Sequence, residues 1–128
     1  MKFLLPLSLL ATWVAAPVFA NCDAPANAVI VPDGASATKE AMVAAQHAVK
    51  DYNAAVATFS ECLKAEQDAK IAAGGDTLKD ADKQKIAADY VARQNAEVDK
   101  LQKIADKFNI ELRAYKAKNA PTPAPAPQ

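Results

Sequence analysis

The chain has 128 residues, 15 basic and 15 acidic side chains, one histidine and two cysteines. That length supports a single domain. The balanced charge, with no clustered positive face, excludes nucleic acid as a partner, and one histidine with two cysteines leaves too few soft ligands for a zinc site once the cysteines pair.

The first twenty residues read as a secretory signal peptide. Lys2 gives a short positive start, the apolar run FLLPLSLLATWVAAPV follows, and VFA supplies small residues before a cut after Ala20. The run is too short and too poorly flanked by charge for a membrane span. Residue 21, after the cut, is Asn and not the cysteine a lipid anchor requires. Removal of the leader takes away one basic residue and leaves a net charge of about −1. Residues 21–37, NCDAPANAVIVPDGASA, carry Pro25, Pro32 and Gly34 and read as an extended strap with a turn.

A first helix is expected over about 38–73. Met42, Ala45, Val49, Tyr52, Val56, Phe59 and Leu63 alternate by three and four, the coiled-coil spacing of a helix packed along its length on another. Ser36 or Thr38 can cap its start, and Glu40 places negative charge at the favourable end of the dipole. Gly74 and Gly75 end it. A second helix is expected over about 77–118, with Thr77 and Asp80 resembling a capping box. Its stripe reads Val91, Gln94, Val98, Leu101, Ala105, Phe108, Leu112 and Tyr115. Glu66 with Lys70, Asp89 with Arg93 and Asp99 with Lys103 are acid-first pairs four apart. Residues 119–128 end in TPAPAPQ, where alternate prolines predict a disordered, polyproline-like tail.

So short a break between long helices turns the chain back on itself. Folding about the two glycines sets Phe59 level with Val91, Tyr52 with Val98, Val49 with Leu101 and Met42 near Phe108. Gln94 then stands in the seam opposite Val56, where a polar residue fixes register. Leu112 and Tyr115 extend past the start of the first helix and need a cover. The expected architecture is all-α: a long antiparallel two-helix hairpin with an extended N-terminal strap and a disordered Pro/Ala tail.

Cys22 and Cys62 make one intramolecular pairing available in an oxidising compartment, with an intermolecular bond or free thiols as the alternatives. Thr38 to Cys62 is about 36 Å of helix, and the sixteen residues back to Cys22 span about 50 Å when extended. Ala41, Ala48, Ala55 and Cys62, spaced by seven, form a small-residue track on which the strap can lie. Val29, Ile30 and Val31 would then cover Leu112 and Tyr115.

No motif points to catalysis. His47 lies opposite the stripe with Asp51 one turn on, a spacing that fits a surface contact. Ser60 has no base at a matching spacing. Asp80, Asp82 and Asp89 interleave with Lys79, Lys83 and Lys85 as charge balance, not as a calcium loop. No phosphate loop or nucleophile elbow occurs. No catalytic, cofactor-binding or metal-binding residue is assigned, and no cofactor is expected. Tyr90 and Ile104 flank the second stripe and are the candidate interaction face, on which two hairpins would pair as a four-helix bundle. The mixed-sign polar faces do not favour membrane-surface binding.

The runs CDAP, IVPDGASATKEAM and VKDYNAAVATFSECL resemble a group of small exported bacterial proteins without an assigned function. The matching residues are Cys22, Pro32, Asp33, Gly34, Met42, Val49, Tyr52, Cys62 and Leu63. The resemblance implies a periplasmic or secreted protein and brings no site residues with it. The reading is therefore an exported structural or protein-interaction module of the bacterial envelope, acting on itself or on another envelope protein. A small periplasmic enzyme, an enzyme inhibitor acting through the strap, and a membrane-surface helical protein are the alternatives.

Overall fold

The computed structural model describes residues 22–26 and 29–121. The expected signal peptide (1–20) and the last seven residues of the expected tail lie outside them. Two long helices, α1 (Lys39–Gly74) and α2 (Asp80–Lys118), are joined by a 3-10 turn, Gly75–Thr77, and run antiparallel as an all-α hairpin. The described residues contain no strand.

The ends of the helices follow from local chemistry. Asp33 starts a turn in which Ser36 and Ala37 donate to its carbonyl and Ala35 to its carboxylate. Ser36 is held there, and Thr38 caps α1 by accepting from the Ala41 amide at 3.2 Å. At the far end Gly75 takes φ +50°, a left-handed conformation that costs a side-chain-bearing residue. The expected Thr77–Asp80 capping box is not formed. Thr77 Oγ1 donates back to the Gly74 carbonyl at 2.8 Å, so α2 starts at Asp80 after Lys79, which makes no side-chain cap. Asp80 and Asp82 in the first turn, and Lys116 and Lys118 in the last, complement the helix dipole instead.

The α1 stripe is the buried face: Met42, Ala45, Tyr52, Val56, Phe59 and Leu63 are buried, and Val49 packs beside them. The α2 stripe differs from expectation. Val91 and Val98 are 53% and 45% exposed, Gln94 is exposed as well, and the buried residues are Tyr90, Glu97 and Phe108. One residue along a helix is about 100° of rotation, so over 90–98 the true seam lies beside the line of valines. Polarity does not keep Glu97 out of it, because the Tyr52 hydroxyl donates to Glu97 Oε2 at 2.9 Å and Lys100 Nζ to Oε1 at 2.6 Å. Tyr52 thus faces Glu97 and not Val98, and the polar register device expected at Gln94 is Glu97.

Two apolar clusters flank this polar pair. Cys22, Phe59, Leu63 and Tyr90, with Cys62 and Ile86 packed on them, form the first. Val31, Met42, Ala45 and Phe108 form the second, with Val29, Ala37, Val49, Ile104, Leu112 and Tyr115 around them. The strap covers the overhanging end of α2 as expected through Val29 and Val31. Ile30 does not take part and is 84% exposed, since alternate residues of an extended segment point to opposite sides.

Candidate interaction surfaces

The strap is fastened at both ends. At one end Cys22 and Cys62 form the disulfide, with Cα atoms 5.7 Å apart. Arg93 Nη2 donates to the Cys22 carbonyl at 3.0 Å, and its Nη1 stands 3.7 Å from Glu66 Oε2. The Arg93 guanidinium lies over the rings of Tyr90 and Phe59, 5.4 and 6.0 Å from their centroids. One side chain of α2 therefore touches the strap, α1 and the aromatic pair. The expected Asp89–Arg93 pair is not made; the expected Glu66–Lys70 pair is, at 3.1 Å.

At the other end the Gly34 amide donates to Glu111 Oε2 at 2.8 Å. Gly34 packs so closely on α2 that a Cβ would collide with the Glu111 carbonyl and the Tyr115 amide. This glycine is required by proximity, as a close approach of two backbones requires.

Two carboxylates are held inside. Glu97 stays below the usual carboxylate range, chiefly because the Lys100 ammonium bonds it, against the opposing effect of burial. Glu66 is held low by the neighbouring Tyr90 hydroxyl, with Lys70 and Arg93 adding to it and burial opposing. The Tyr90 hydroxyl and Glu66 Oε2 are buried and do not complete a hydrogen bond of good geometry. Burial, before any other cause, pushes both Tyr52 and Tyr90 upward. These groups tie helices together; none of them meets a second reactive group in a cleft.

Of the expected interaction face, Tyr90 is buried and Ile104 is half-buried. Tyr90 is 3% exposed in the disulfide-end cluster, and Ile104 packs against the Phe108 cluster. They share the seam line with Glu97 at successive heptad positions, and Tyr90 reaches the surface only as part of the wall of an open groove. Ile86 packs against the same disulfide-end cluster.

Chemistry is sparse elsewhere. His47 and Asp51 are both exposed. Ser60 donates to the Val56 carbonyl at 2.9 Å, one turn back. Among the described residues no group of three His, Cys, Asp or Glu could hold a metal ion, and no helix is long and apolar enough to cross a membrane.

The helical layer has two sides. The strap occupies one, where Arg93 and Glu111 reach it, and leaves an open groove of about 450 Å³ between Cys22, Pro25 and Ala55. The other carries open grooves: one of about 440 Å³ lined by Leu63, Tyr90, Val91 and Gln94 with Glu61, Lys64 and Asp68 on its α1 wall, and one of about 130 Å³ lined by Met42, Gln46, Phe108 and Leu112. On α1 this side is edged by Gln46, Asn53, Ser60 and Gln67, spaced by seven as the alanine track is on the strap side. The sequence signal for this surface is the Val91–Val98 spacing, a heptad interval that by itself reads equally well as a seam. Comparison with known proteins gives no match: no family model, no curated protein and no solved structure matches the chain.

Proposed function

We propose that this chain is an exported, non-catalytic structural module of a bacterial envelope that works by presenting a helix face to another protein. The observation that carries the reading is the one-sided cover of the helical layer. The strap lies along one side, and the other leaves Val91 and Val98 exposed a heptad apart, beside grooves too open to enclose a small substrate. The Cys22–Cys62 bond supports export, because such bonds persist in oxidising compartments. The test is to express the full chain in a bacterial host, determine the mature N-terminus, and crosslink the intact envelope before mass spectrometry. A protein starting at Asn21, oxidised, and crosslinked through α2 is the expected result. Recovery of the full-length chain in the cytosol with two reactive thiols would end the export reading.

A further inference from the structure

We propose that the proline-rich segment 121–127 folds back on its own chain and lies in the apolar groove at the open end of the hairpin. The inference goes beyond the interaction-module reading and does not depend on it. The groove, of about 130 Å³, is walled by Met42, Val43 and Gln46 of α1 and by Phe108, Leu112 and Tyr115 of α2, and Lys39 is its one charged lining residue. The strap packs on Phe108, Leu112 and Tyr115 through Val29 and Val31. Away from the strap, Val43 is left 42% exposed. The groove is smaller than the roughly 300 Å³ at which small-molecule sites begin. Its occupant has to bring small apolar groups to a shallow surface.

The place where the chain leaves α2, and the length that follows, name the occupant. Asn119 closes α2 by donating both its backbone amide and its side-chain amide to the Tyr115 carbonyl, at 3.1 and 2.8 Å. The chain therefore departs from the turn that carries Tyr115, a wall of the groove. Tyr115 to Phe108 is about 10 Å of helix, and residues 121–127 cover about 22 Å as a polyproline helix. That length spans the groove and leaves chain for the reversal. The segment PTPAPAP has no charge, and Thr122 is its only polar side chain. Three residues per turn put Pro121, Ala124 and Pro127 on one face, a ridge of small apolar groups. Such a segment suits an aromatic-lined groove, because its prolines fix the backbone before it docks and little freedom is lost. Its carbonyls have no internal partners, and a tyrosine hydroxyl beside them can donate. Attachment to α2 sets an effective concentration in the millimolar range, so a contact of modest strength is populated without any outside partner.

The test places a photo-crosslinking residue at Val43 or Val91 of the full chain, irradiates it in cells, and maps the products by digestion and mass spectrometry. Both valines are exposed. Val91 lies about 42 Å of helix from Asn119, whereas the chain from Asn119 to Gln128 spans at most about 32 Å, so Val91 is out of reach. A product of monomer mass joining Val43 to residues 121–127, and no such product from Val91, is expected. Replacing Pro121, Pro123 and Pro125 together by Gly should lower the Val43 yield by about threefold or more, because the segment then loses its rings and has more freedom to give up. Helicity should not change, since all three lie beyond α2. The same product at twice the chain mass would overturn the internal contact and assign the groove to the segment of a second copy. Products from Val43 to other proteins alone, or no product, would overturn the proposal. A yield indifferent to the glycine substitutions would also overturn it.

Discussion

The two ends of the strap are held by different means, and the contrast separates covalent from steric attachment in one small protein. At the Cys22 end, a disulfide and a single arginine hold a segment whose own apolar contribution is one cysteine. At the Gly34 end, Val29 and Val31 pack over Phe108, Leu112 and Tyr115, and a glycine lets the backbone touch α2. A two-helix layer buries little apolar surface for its length. Each end therefore supplies what the hairpin lacks at that point: a crosslink where the strap brings no core, and a core where it brings no crosslink.

Removing the crosslink should have the largest effect. Cys22→Ser with Cys62→Ser is expected to cost about 2–4 kcal/mol, the usual range for a closed loop of this size. Denaturant unfolding without reductant measures it. The loss should be uneven: amide exchange should rise at Phe59 and Leu63 more than at Met42 and Ala45, since Val31 and Gly34 remain in place. Equal loosening at both ends would show that the strap is one cooperative unit and that the contrast is only apparent.

Gly34→Ala attacks the other end. The added methyl group would meet the Glu111 carbonyl, a backbone atom that cannot swing aside, and would break the Gly34–Glu111 hydrogen bond. About 1–3 kcal/mol is expected for such overpacking. The exchange pattern should be reversed, with Met42 and Phe108 affected more than Phe59. A neutral Gly34→Ala variant would mean that the strap lifts off freely, leaving the disulfide as its sole anchor.

The same contrast explains what the sequence disclosed. The hairpin, its α1 seam and the Cys22–Cys62 bond were legible because in each the residue type and the position agree: apolar residues repeat by three and four, glycines stand at the break, and two cysteines allow one internal pair. The α2 seam was not, because there the two disagree. Val91 and Val98 are apolar yet exposed, while Glu97 is charged yet buried and Arg93 is charged yet half-buried. Hydrophobic periodicity cannot rank a valine below a glutamate unless the partners are known, and those partners come from α1 and the strap: the Tyr52 hydroxyl, the Cys22 carbonyl and Glu66. The displacement is a single residue, which exchanges Tyr90 with Val91 and moves the candidate contact surface from the interior to the outside. The Thr77 cap failed for a related reason, its hydroxyl having a nearer acceptor in the Gly74 carbonyl.

Acid should distinguish the two ends with the smallest effect. Glu66 and Glu97 lie below their ordinary value of 4.5 in the folded chain. A carboxyl whose pKa falls on folding binds more protons when unfolded, so its contribution is complete above the unfolded value and is lost as pH drops through the folded one. Lys70 and Lys100, the cations beside them, lie above 10.5, so their contribution is lost only in strong alkali and stability should be level through neutral pH. Below about 4.5, protonation of Glu66 releases the charged group around Tyr90 and Arg93 at the disulfide end, while protonation of Glu97 frees Lys100 in the middle. Exchange at Leu63 and Tyr90 should therefore accelerate in acid before exchange at Met42 does. Glu66→Gln, which removes the titrating group there and keeps its shape, should flatten the response at Leu63 and leave that near Tyr52 intact. If Glu66→Gln left the acid response at Leu63 unchanged, the Arg93 group would not be what fastens the disulfide end beyond the crosslink, and the covalent bond alone would account for it.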